Sequence, residues 1–275
     1  MHSLFQRQVA LPNEHGTWVF LLSPLIIGLV AGKTTGPGAV ALVVAALSAF
    51  LLRQPISMTV KVHAGRRSAA YLTPSIFWTL VYSLIAVIAT LVLVDFGHGS
   101  ILYLALPAVP VMAWHLWLVS RRAERRQPLI EFIAAGALAL SAPAALWVGR
   151  HDRDALGWWI WILVWLQSGA SILYAYARLA QREVDAPNSA VALWSAASPA
   201  LAFAAVNVVF ALVAGAAAAP LRFVFVAYLL QLAEVIWGTV HPAVGWRPAR
   251  VGVRQLIVST TWTVLFIIAL EAGAV

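Results

Sequence analysis

Lipid tolerates few ionisable side chains, and those inside long apolar runs face a cavity or a partner. Glu234 is such a residue, set in the run Leu229-Leu230-Gln231-Leu232-Ala233-Glu234-Val235-Ile236. Its carboxylate needs a counter-charge or a proton. Glu14 and His15 stand at the start of the first apolar run, and His115 lies near the end of the fourth. A carboxylate and an imidazole at such places suit acid–base or hydrogen-bonding work. A helix-end histidine satisfied by a neighbouring helix is the equal alternative. Arg53 closes the second run, Glu131 opens the fifth, Arg178 closes the sixth, and His241 follows Glu234. Only Gln167 and Asn207 sit deeper, and Glu271 approaches the opposite end.

The elements that must position these groups follow from composition. Hydrophobic residues make up 62% of the 275 and charged residues 10%, with a mean hydropathy of +0.87. A soluble domain needs roughly 25% charged residues to wet its surface. Apolar runs of 18 residues or more mark bilayer spans. Breaks between runs place about nine spans in one transmembrane domain covering 1–275: 17–31, 37–52, 72–94, 100–119, 129–149, 157–178, 190–214, 220–238 and 254–274. The first two are short, and only a Gly/Thr/Pro turn separates them, which leaves eight as the alternative count, with one of the two tilted or partly re-entrant. Met1 to Gly16 is mixed and polar, without the apolar core of a cleavable signal peptide.

Nine spans put the N-terminus and the even-numbered connections on one side. That side holds Arg7, Arg53, Lys61, Arg66, Arg67, Arg121, Arg122, Arg125, Arg126, Arg178, Arg182, Arg247, Arg250 and Arg254. The other holds Lys33, Arg150, Arg153 and Arg222. Fourteen cations against four make the first side cytoplasmic, with Val275 outside. The net charge of +8 therefore reflects topology and contact with anionic lipid, and it does not point to nucleic acid. Trp147, Trp158, Trp159 and Trp161 fall toward the outer interface, and Trp18, Trp78, Trp114, Trp117, Trp194 and Trp237 toward the inner one. Small residues crowd 134–145 and 195–219, where helices can approach closely. The polar groups converge on the cytoplasmic half, as for a cavity open to the cytoplasm.

Several chemistries are excluded. There are no cysteines, hence no disulfide, iron–sulfur cluster or thiolate zinc site. The seven histidines are scattered, without the spacing that holds zinc or haem. No glycine-rich nucleotide loop is present. No Asp-rich cluster offers the grouped carboxylate oxygens that Mg²⁺ requires, the nearest inner pair being Glu183 with Asp185. No metal and no cofactor is expected.

The string Leu11-Pro12-Asn13-Glu14-His15-Gly16-Thr17-Trp18, opening the first helix, resembles the Pro-Asn-(Glu/Gln)-His-Gly-x-Trp segment of the YwiC-like family of bacterial membrane proteins. Arg53-Gln54-Pro55 at the close of the second helix, and Arg122 to Glu131 leading into an Ala-rich fifth, are also similar. The resemblance covers most of the chain and implies a bacterial cytoplasmic membrane protein. A more distant likeness is architectural. Nine helices with an inner-face polar cavity resemble the UbiA-type intramembrane prenyltransferases, whose second motif reads Asp-x-x-Tyr-Ala-x-x-Asp. Ser171-Ile172-Leu173-Tyr174-Ala175-Tyr176-Ala177-Arg178 keeps the Tyr-Ala centre and replaces both aspartates by Ser171 and Arg178. Arg53-Gln54-Pro55-Ile56-Ser57, followed by Lys61, stands in place of the first Asp-rich motif.

This second resemblance implies an all-α, UbiA-like bundle in which cations replace metal-binding carboxylates. Arg53, Lys61 and Arg178 would hold a phosphate or carboxylate directly, or else merely face lipid phosphates. Asn13, Ser171 and Tyr174 would line the site, with Glu14, His15, His115 and Glu234 as acid–base or hydrogen-bonding groups. The ligand class is an isoprenoid or other lipid phosphate, and any reaction a metal-independent prenyl transfer. A small-molecule transporter or permease, or a non-catalytic partner of a membrane complex, are the alternatives. Membrane lipids are the expected surroundings, and nothing in the chain selects a protein partner.

Overall fold

Backbone N–H and C=O groups cannot be left unpaired in hydrocarbon, so a chain this apolar must close its hydrogen bonds within helices. The computed structural model describes residues 4–12, 15–123, 127–182 and 190–274, with the side chains of His15 and Ala190 outside that description. Every regular element among them is helical. After a short α1 (Arg7–Ala10) come α2 (His15–Ala31), α3 (Gly36–His63), α4 (Leu72–Asp95) and α5 (Ala108–Ser120). Then follow α6 (Pro128–Ala139), α7 (Ser141–Arg150), α8 (Ala155–Gln181), α9 (Ala190–Ala217), α10 (Phe225–Val240) and α11 (Pro248–Ala274). Single 3₁₀ segments at Ala69–Tyr71, Gly99–Ala105 and Ala219–Leu221 lead into α4, α5 and α10.

Among the described residues, eight helical stretches are long and apolar enough to cross a membrane, from Gly36–His63 to Pro248–Ala274. The protein is a multi-pass, all-α membrane protein. A ninth apolar helix, Gly16–Ala31, is shorter. At 1.5 Å per residue, α2 spans about 25 Å, a little under the hydrocarbon thickness. It is an interior element, packed on α7 and α11, with Leu21, Leu25 and Ile27 buried.

The expected second span, 37–52, is much longer in the structure. The Arg53-Gln54-Pro55 triplet does not close α3, which carries Pro55 within it and continues to His63. Pro55 is buried, and its carbonyl accepts the Thr59 hydroxyl at 3.0 Å. Arg53 and Lys61 are therefore helical residues. The expected span 129–149 is one apolar stretch, Pro128–Arg150, made of two helices. Pro143 in the first turn of α7 cannot donate to the carbonyl of Ala139, and the helix breaks at Leu140.

Small residues set the closest approaches. A Cβ on Gly28 would lie 2.2 Å from the carbonyl oxygen of Ala142, and one on Gly32 2.8 Å from that of Leu146. The Thr34 hydroxyl locks the same α2–α7 contact by donating to the Ala145 carbonyl at 2.7 Å. At the end opposite the basic connections, Asp154 caps α8 through Gly157 N–H (3.2 Å) and pairs with Arg150 (2.5 Å). Next to it the His98 and His151 rings stack at 5.0 Å. The N-terminal segment lies on the α3–α4 pair: Tyr82 donates to the Ala10 carbonyl (3.0 Å) and Gln54 to that of Gln8 (2.8 Å).

Candidate functional site

Glu234 has its partner on the next helix. α10 and α11 form an antiparallel pair, and Arg254 on α11 meets Glu234 on α10 at two points, Nε to Oε1 at 2.5 Å and Nη2 to Oε2 at 2.7 Å. Tyr174 on α8 donates its hydroxyl to the same Oε1 at 2.9 Å. Gly238, one helical turn beyond Glu234, leaves room for that ring, since a Cβ there would lie 2.1 Å from the Tyr174 oxygen. The carboxylate is thus held by a two-pronged guanidinium and a phenol.

Arg178 lies beside this cluster and is 1% exposed. Its Nη1 donates to the Gly238 carbonyl (2.6 Å), the His241 carbonyl (2.7 Å) and Gln181 Oε1 (2.8 Å). These carbonyls end α10, where a helix leaves its acceptors unpaired, so Arg178 caps that helix from α8. Trp246 covers its guanidinium at 4.9 Å, and Trp237 lies under that of Arg254 at 3.6 Å. Arg250 stacks on the other available ring, Trp246, at 4.1 Å. Arg182 donates from Nε to the Trp246 carbonyl. The 241–247 connection is therefore held on the bundle by cations and indoles together.

Of the cavities near the basic end, two are lined by residues singled out from the sequence. The first, of about 330 Å³, lies among α2 to α7. Leu42, Ala45, Ala46, Ala49, Phe50 and Arg53 line it along α3, and Ala108, Val111, Met112 and His115 along α5. Leu42 to Arg53 measures about 16 Å at 1.5 Å per residue. α3 and α5 run in the same direction, and Arg53 and His115 both line the basic end of a mainly apolar trench, which Thr90 and Ser141 also line. Arg53 also lies over the Phe50 ring at 5.7 Å.

The second cavity, of about 630 Å³, lies between α2, α8 and α11. Ser171, Arg182, Gln255, Ser259 and the pair Glu131–Tyr176 line it, the Tyr176 hydroxyl donating to Glu131 Oε1 at 2.7 Å.

Of the residues singled out by sequence, Arg53 and His115 thus meet at one cavity, Ser171 lines another, and Tyr174, Arg178 and Glu234 form one buried cluster. Arg178 lines neither cavity, so it does not join Arg53 about a single anion. Lys61 lies two turns beyond Arg53 on α3. Asn13 and Glu14 fall outside the described residues, as do the side chain of His15 and the loop carrying Glu183 and Asp185. Gln167 and Asn207 are buried as expected, at 4% and 1% exposure. Among the described residues no group of three or more His, Asp or Glu side chains is placed to hold a metal ion.

Sequence reasoning missed Arg254, Gln231 and the Trp237–Trp246 pair. Arg254 reads as one more charge at a membrane edge. Glu234 and Arg254 are nevertheless each ten residues from Val244, and an antiparallel hairpin turning there brings them face to face.

Residues 11–146 match a family model described as YwiC-like protein. The chain is 24% identical over 188 residues to the YwiC protein of Bacillus subtilis (strain 168), covering 67% of this chain and 72% of that one. No solved structure matches the chain. The N-terminal motif, the first helices and the first cavity lie inside the matched segment, and that part of the chain is similar to the YwiC-like family.

Proposed function

We propose that this protein sits in the bacterial cytoplasmic membrane, with its basic end cytoplasmic, and binds an amphipathic anion, an isoprenoid or lipid phosphate. The observation that supports this reading is the first cavity, an apolar trench ending on Arg53 and His115. The hydrocarbon chain lies among Leu42, Ala45, Ala49 and Met112, and the phosphate meets the guanidinium and imidazole at the cytoplasmic end. Arg53 supplies a forked donor suited to phosphate oxygens. His115 supplies a proton-exchanging group at the same end. In this reading the Glu234–Arg254–Tyr174–Arg178 cluster holds α8, α10 and α11 in register and does not itself touch ligand. If the ligand is a prenyl diphosphate, Arg53 and His115 would stabilise the diphosphate as it departs, in the manner of a UbiA-like transferase.

Thermal-shift titration of the purified protein with farnesyl and geranylgeranyl diphosphate tests this. Stabilisation that is lost in Arg53→Gln and retained in Arg178→Lys is expected. Equal stabilisation of wild type and Arg53→Gln would contradict it.

A further inference from the structure

The 630 Å³ cavity has a deep end. Val19, Phe20, Ser171 and Ser259 line it and also line a small void of about 20 Å³. On all three helices the void lies farther from the basic end: Ser23 and Pro24 on α2, Val164 to Ser168 on α8, and Trp262 on α11. The void is large enough for one water-sized group.

Its surroundings are polar and uncharged. Gln167 and Trp262 line it and are 4% and 1% exposed. Gln167 Nε2 donates to Gln231 Oε1 at 2.9 Å, which leaves Gln167 Oε1, Gln231 Nε2 and the Trp262 indole N–H without a partner. Interchanging O and N in both amides reverses that bond and still leaves one donor and one acceptor. Buried polar groups at this depth are ordinarily satisfied, and each one left over costs free energy that a ligand recovers. About two turns from Trp262 toward the mouth, Gln255 Nε2 is likewise buried without a partner. Among the described residues no charged side chain lines the void, so an ion entering it would be stripped of water without compensation from them.

From this we propose that cavity and void form one blind binding site for a neutral amphipathic molecule. Its hydroxyl or carbonyl end would reach Gln167 and Trp262, which line the void, with Gln231 held behind Gln167. The size of the outer cavity and its mainly apolar lining, with a few convergent polar groups at depth, are those of a small-molecule pocket. This site is separate from the Arg53–His115 cavity, and its deep end selects by hydrogen bonding where that one selects by charge.

The test is photolabelling of the full-length protein in lipid nanodiscs with a diazirine-bearing long-chain alcohol. The diazirine alkane without the hydroxyl serves as the paired probe, and labelled peptides are mapped by mass spectrometry. The alcohol should label peptides containing 164–171 and 255–263 about tenfold more than the alkane, the discrimination expected from one or two buried hydrogen bonds. Gln167→Leu should remove that preference. Should Gln167→Leu not fold, Trp262→Phe keeps a ring against Tyr228 and Phe266, and it should reduce the preference. Equal labelling by both probes, or a preference unchanged in the variants, would overturn the proposal and leave the void to structural water alone.

Discussion

Glu234 and Arg254, ten residues either side of Val244, close the α10–α11 hairpin with a two-point ion pair whose carboxylate also accepts the Tyr174 hydroxyl. Three helices meet at one carboxylate that is 8% exposed. Removing the cation leaves a buried charge, whereas removing both charges does not.

Arg254→Ala should therefore destabilise the protein by about 2 kcal/mol, below the figure for a fully buried pair because Arg254 is about one-third open. Glu234→Gln with Arg254→Gln should recover most of the loss. A double-mutant cycle on unfolding in mixed micelles measures the coupling, and additive single effects would show that the pair is not a unit.

Gly238→Ala places a methyl group on the Tyr174 hydroxyl, and overpacking of this kind costs about 1–3 kcal/mol. Tyr174→Phe removes the oxygen that the methyl strikes. The double variant should therefore be more stable than Gly238→Ala alone, as thermal unfolding of the three variants would reveal.

Gly28→Val forces α2 away from the Ala142 backbone, which a rigid carbonyl cannot accommodate. Loss of folded yield is expected, with a smaller loss for Gly16→Ala, where no atom lies within 4 Å. Monodisperse peak height in size-exclusion chromatography compares the two.

His98, between α4 and the 3₁₀ segment, is held below its ordinary pKa of 6.5 by burial first and by the His151 ring second. The native state therefore binds its proton less readily than the unfolded chain. Stability should be complete above about pH 7 and fall as pH drops through 6.5 and the lower native value. Thermal unfolding of wild type and His98→Gln across pH 5 to 8 measures this. The variant's profile should be flatter in that window.

Much of the fold could be read from the chain because lipid imposes one rule on every span. Nine apolar runs correspond to nine helical stretches, and the inward face of Glu234 followed from its apolar neighbours. Prolines misled in both directions. Pro55 interrupts nothing, because α3 continues with its next turn tied by Thr59. Pro143 breaks a stretch that hydropathy reads as continuous. The partners of the polar groups were hidden for a different reason. Which helix lies beside α8 depends on packing, so Gln167 was visible as a deep polar residue while Gln231 beside it was not. Arg178 was expected to hold an anion; that it also donates to the carbonyls ending α10 depends on which helix lies beside α8, which the chain order does not reveal. Arg53 and His115 were both visible, as residues near the ends of their apolar runs.

The most direct measurement is equilibrium binding of radiolabelled geranylgeranyl diphosphate to the protein in nanodiscs, comparing wild type with Arg53→Gln, His115→Gln and Arg254→Gln. Loss of one charge-assisted contact should weaken binding about tenfold or more in Arg53→Gln, and measurably in His115→Gln. Folded Arg254→Gln should bind as wild type does. Undiminished binding by Arg53→Gln, or no binding by wild type, would contradict the assignment of the Arg53–His115 trench to an amphipathic anion.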